Sequence, residues 1–246
     1  MLVNNNFTHI ETAGSTGYTG VYPWDRDTYA VYPANQTTGD EVLAQALGSP
    51  TGKVGQRVYQ TRGWLAAPYH AITAIGRWIE MGASVQIATD AGVSGTTIVS
   101  NIDFAYPQSN TYQTVGSTDV VTYPCQGTTG TAYSMGSEIP SPVPNRNIRT
   151  NPVGQAVYVM VAQGNILSLT NATMINVATG APVTLLPPVT GSNDVNQGYY
   201  GYNFGYVLPS APLLPNTQYA VTISGLNGTV PFSRSFTFTT GNVTPY

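Results

Sequence analysis

The sequence predicts an α+β segment followed by an antiparallel β-sandwich. Three observations carry this reading. Helical and strand-like patterns are mixed as far as Phe104, and only strand-like runs follow Thr118. Those later runs are short and bounded by turn residues, the mark of an antiparallel sandwich. Between them, Pro140, Pro142, Pro144 and Pro152 block long regular elements. The α+β domain is placed at residues 1–108 and the sandwich at 118–246, with the division inside 106–117.

In chain order, Asp40 is predicted to cap a short helix over Glu41–Leu47, ended by Gly48 and Pro50. Val54–Arg62 and Trp64–Tyr69 read as further helical pieces, interrupted by Gly63. Ile75–Met81 and Ser84–Ala88 read as strands. So does Thr96–Phe104, where Ile98, Ser100, Ile102 and Phe104 alternate with Val99, Asn101 and Asp103. Helices followed by a few strands suit a compact α+β layer. The β-only part opens with Asp119–Pro124. It continues through Gln155–Ala162, Leu167–Asn176, Tyr199–Val207, Gln218–Ser224 and Phe232–Thr239. Turn signals at Gln163-Gly164-Asn165 and Leu226-Asn227-Gly228 separate them. Tyr219, Val221 and Ile223 share one strand face. Phe236 and Phe238 are the expected core anchors.

Composition narrows the function. Charged residues are 8% of the chain, against about 25% in typical soluble domains. Thr, Asn, Gly, Ser and Tyr fill the surface instead, which reads as an extracellular or cell-surface protein. Net charge is −3 with Lys and Arg scattered, so nothing tracks a phosphate backbone and nucleic-acid binding is excluded. No run of apolar residues is long enough for a membrane-spanning helix. Met1-Leu2-Val3-Asn4 lacks the basic start and apolar stretch of a signal peptide. Cys125 is the single cysteine and has no partner for an internal disulfide.

The chain holds two histidines, His9 and His70, with Asp40-Glu41 between them. Imidazole suits both metal ligation and proton transfer near neutral pH. His9 and His70 are therefore candidate ligands for a divalent metal such as zinc, with Glu41 a third ligand or a base on bound water. The alternative is a hydrogen-bonded structural cluster. Neither a His-Glu-x-x-His helix nor a Gly-x-Ser-x-Gly elbow is present, so an enzyme is the lesser expectation and no catalytic residue is assigned. Asp25-Arg26 reads as a salt bridge or loop cap.

Several motifs resemble a known family. They are His9-Ile10-Glu11-Thr12-Ala13-Gly14 through Gly17-Tyr18-Thr19-Gly20, then Asp25-Arg26, Gly39-Asp40-Glu41, and Trp64 through His70. Together they look like the bacterial, SCP-like branch of the CAP superfamily, which includes cysteine-rich secretory proteins and plant pathogenesis-related proteins. The resemblance implies a CAP-like α-β-α layer domain in which His9, Glu41 and His70 line one cleft. A second cleft glutamate would fall to Glu11 or Glu80. Asp40 and Val42 depart from the family pattern, which has Gly and often Asn there. Pro212 through Gly225 and Phe236 through Gly241 resemble bacterial immunoglobulin-like domains. Tyr123 through Gly127 and Glu138 through Pro142 resemble the region joining the two modules. The family's domain opens with a long helix, of which Met1–Asn5 would be the last turn, so the first helix is expected to be missing. Loss of that helix implies an exposed apolar face and self-association. The function implied is extracellular binding of a lipid, a glycan or a metal in the cleft. A structural subunit of a cell-surface assembly or filament, and a metal-dependent hydrolase, are the alternatives.

Overall fold

The computed structural model describes residues 1–32, 36–47, 60–92, 94–107, 112–196, 198 and 201–242. The chain is mostly β, with antiparallel sheets. It forms two compact units, Met1–Thr61 with Thr73–Gln113, and Arg62–Ile72 with Thr114–Tyr246.

The first unit is built on three antiparallel strands in the order β1-β3-β2, namely Gln36–Leu47, Thr97–Pro107 and Glu80–Ile87. Glu41–Leu47 is therefore strand, not the helix that its Glu, Leu, Ala and Gln content predicts. Helix propensity separates ordinary residues by at most about 0.7 kcal/mol each. A ladder running from Gln36↔Pro107 to Leu47↔Thr97 contributes about 1 kcal/mol per hydrogen bond and buries Val42, Leu43 and Ala46. Tertiary pairing wins. The region Ile75–Met81 also differs from expectation: helix continues to Ala74 and the strand begins only at Glu80. The register of β1 shifts between Thr38 and Asp40. Gly39 stands at that bulge because a Cβ there would lie 2.0 Å from the Trp78 ring. Trp78 stacks on Phe104 and Tyr106 at 6.1 and 5.5 Å.

A short helix, α1, spans Pro23–Tyr29. Pro23 pre-sets its first turn, and Asp25 Oδ2 accepts the Tyr22 N–H at 3.0 Å. It ends at Ala30, followed by Val31 at φ 67°. That left-handed position usually belongs to glycine, and Val31 is almost wholly exposed.

The second unit begins with helical residues 62–66. The interruption falls at Ala67, before Pro68, and not at Gly63 as expected. Proline disfavours helical geometry in the residue before it. A second helix, Pro68–Ala74, starts there. Among the described residues beyond Thr118 there is no α-helix. One sheet has the order β5-β11-β10-β7, namely Thr128–Thr131, Val230–Thr240, Gln218–Asn227 and Leu167–Asn176. Only its β5–β11 pair is parallel. The other has the order β4-β6-β9-β8, namely Val120–Tyr123, Val157–Val161, Phe204–Val207 and Val189–Thr190. Their facing residues make one core: Val157, Val159, Val161 and Val207 meet Leu167, Met174, Tyr219, Val221, Ile223, Phe236 and Phe238. Each large side chain so buried is worth about 1.5–3 kcal/mol before entropy. Alternation sends Tyr158, Phe204 and Tyr206 to the other face of the second sheet, where they are also buried. Tyr158 stacks on Phe204 at 5.8 Å.

Candidate functional site

The loop that carries His9 is shaped by local bonds. Gly14 and Gly17 take positive φ, and the Glu11 N–H donates to Val21 O at 2.9 Å. His9 Nδ1 meets Glu41 Oε1 at 2.8 Å. The imidazole is 51% exposed and the Glu41 side chain 3%. Arg26, on α1, donates from Nη2 to Glu41 Oε1 and Oε2 at 3.2 and 3.0 Å. Its Nη1 donates to His9 O at 3.1 Å and Val21 O at 3.4 Å. Asp40 orients the strand start, accepting the Glu41 N–H at 2.9 Å and the Thr73 hydroxyl at 2.8 Å. Glu41 is thus held by Arg26 and orients the imidazole.

Directly across the ladder from Glu41 lies Asp103. Its Oδ2 accepts from Asn101 Nδ2 at 2.7 Å, and its Oδ1 is buried without a partner. Burial, reinforced by the negative charges of Glu41 and Asp27, pushes the Asp103 carboxyl up to about 7, with Arg26 opposing. Burial also raises Asp27, again against Arg26. Asp103 is therefore half protonated near neutral pH, while Arg26 neutralises its neighbour.

His70 belongs to the second unit and is bonded to Glu138 instead of Glu41. His70 Nδ1 lies 2.9 Å from Glu138 Oε2. Glu138 Oε1 and Oε2 also accept the Tyr69 N–H at 3.2 and 3.1 Å, and Oε2 the His70 N–H at 3.3 Å. The Glu138 side chain is fully buried and the imidazole 28% exposed. Burial raises the Glu138 carboxyl, and His70 with the two N–H donors pulls it back. Tyr69 donates its hydroxyl to Asp194 Oδ1 at 2.8 Å and accepts from Asn196 Nδ2 at 2.7 Å.

Of the expected trio, then, His9 and Glu41 meet, and His70 is held by a different glutamate. Glu11 instead accepts the Thr19 N–H at 3.5 Å, and Glu80 accepts the Tyr32 hydroxyl. Sequence reasoning left Arg26 without chemistry and did not single out Asp103 or assign Glu138 to the site. Arg26 had a local signal, a lone cation beside the His-bearing loop. Asp103 and Glu138 had none. A structural zinc site takes four ligands, and among the described residues no group of three or more His, Cys, Asp or Glu side chains has metal-holding geometry. Among the described residues neither imidazole is hydrogen-bonded to a Ser, Thr or Cys side chain. What both arrangements can do is hold an imidazole still by one nitrogen and leave the other to a ligand. No protein-family model matches the chain, and no curated protein matches it.

Proposed function

We propose that this chain is a secreted or surface-exposed bacterial binding protein that meets its ligand at His9. In this reading the first unit is CAP-like and the second immunoglobulin-like. The carrying observation is the build of the His9 dyad. A half-exposed imidazole is tied through Nδ1 to a buried Glu41, which Arg26 holds from the other side. Such an arrangement fixes ring orientation and leaves Nε2 for a partner outside the chain. The low charge and the order of the motifs support the extracellular assignment. A lipid or a glycan is the ligand class.

The test uses protein labelled with ¹⁵N in histidine, titrated separately with fatty-acid vesicles and a chitin oligomer. One of the two is expected to move the His9 ring signals, and His9→Ala to abolish its binding. Undiminished binding by His9→Ala, or no response to either, overturns the proposal.

A second reading, a subunit of a cell-surface assembly, is favoured by the stacked Tyr22–Trp24 pair, 4.7 Å between ring centroids. Both rings are more than two-fifths exposed, and Tyr29 on the same helix more so. Light scattering that finds only monomer at high concentration removes this reading.

A further inference from the structure

We infer that Glu138 is the positioning residue for His70. It fixes the imidazole with its proton on Nδ1 and keeps Nε2 bare toward solvent. His70 is then a hydrogen-bond acceptor on the second unit, suited to hydroxyl or ammonium groups of a ligand. This rests on the reading of the chain as a binding protein, but not on the role of His9.

The argument begins with donors. Around Glu138 stand the backbone N–H groups of Tyr69 and His70 and the Nδ1 of His70. The two backbone groups can only donate. A carboxylate can only accept, so the bond to Nδ1 requires Nδ1–H, and in the neutral ring that leaves the lone pair on Nε2. Nε2 has no protein partner among the described residues and is not among the buried unpaired atoms. It therefore reaches water. The ring cannot drift, because the same residues anchor its helix. Glu138 satisfies two of the orphan N–H groups of the first turn of Pro68–Ala74, and Tyr69 is locked to Asp194 and Asn196. Asn196 in turn donates to Ser141 O at 2.9 Å.

Glu138 is fully buried, so its carboxyl makes these bonds away from water. The contact spans 68 positions of sequence, so it exists only in the folded unit.

The test is long-range ¹H–¹⁵N correlation of the histidine rings at pH 8 in the full chain, with His70→Gln to assign the signals. The wild type is expected to carry its His70 proton on Nδ1. In Glu138→Ala no acceptor holds Nδ1–H, and the proton shifts toward Nε2, while the His9 ring signals stay as in the wild type. A wild-type proton on Nε2, or a Glu138→Ala variant with unchanged tautomer, overturns the inference. Should Glu138→Ala fail to fold, the wild-type tautomer decides alone. No ligand is involved, so this test fails or succeeds independently of the His9 titrations.

Discussion

Asp103→Asn should make the first unit more stable at neutral pH and flatten its pH dependence. The folded carboxyl titrates at about 7, against 3.8 ordinarily. Between those values the folded protein holds a proton that the unfolded chain has released. The stability it contributes is complete below pH 3.8 and is lost as pH rises through 7. At about 1.4 kcal/mol per pH unit, the rise corresponds to about 4 kcal/mol. Asp103 keeps part of its surface in water, and screening there brings the effect to about 2 kcal/mol. Asparagine is permanently neutral and can still lie against Glu41 across the ladder. The assay is urea unfolding followed at the amide signals of β1 and β3 at pH 4.5, 6 and 7.5. The wild type should lose about 2 kcal/mol over that range, and the variant should keep only the smaller slope left by Asp27. A variant as steep as the wild type, or one less stable at pH 7.5, would refute the assignment of the proton to Asp103.

Other outcomes follow from backbone geometry. Val31→Gly should stabilise the first unit by about 1 kcal/mol, since a β-branched residue at φ 67° bears the left-handed penalty that glycine escapes; an unchanged urea midpoint counts against it. Gly225→Ala should destabilise the second unit by about 1–3 kcal/mol, because a Cβ there would lie 1.9 Å from Ser168 O at the β10–β7 bulge. Calorimetry that finds no loss in Tm would show that the strand pair yields without strain.

Much of the second unit was legible in the chain. Leu167–Asn176 is a strand over the expected residues, and Tyr219, Val221, Ile223, Phe236 and Phe238 are buried on the expected faces. These runs alternate locally, and β-branched and aromatic residues favour a pleated, half-buried surface wherever it forms. The short strands Thr128–Thr131 and Val189–Thr190 were missed, because their strand character comes from pairing with β11 and β9. The tyrosine-rich run that includes Phe204 and Tyr206 was divided by the fold: those two are buried and Tyr202 is exposed.

What the sequence determined by itself was the set of chemical groups, and for the long alternating strands the face each residue takes. Which groups meet was decided by tertiary structure. Glu41 is an orienting carboxylate because β1 pairs with β3 and brings Asp103 opposite it, against the helical preference of its own segment. His70 is completed by a glutamate from a Pro-rich passage with no helical or strand pattern to read. Hydrogen bonding and proton affinity depend on distance and burial, and both are set by neighbours far away along the chain.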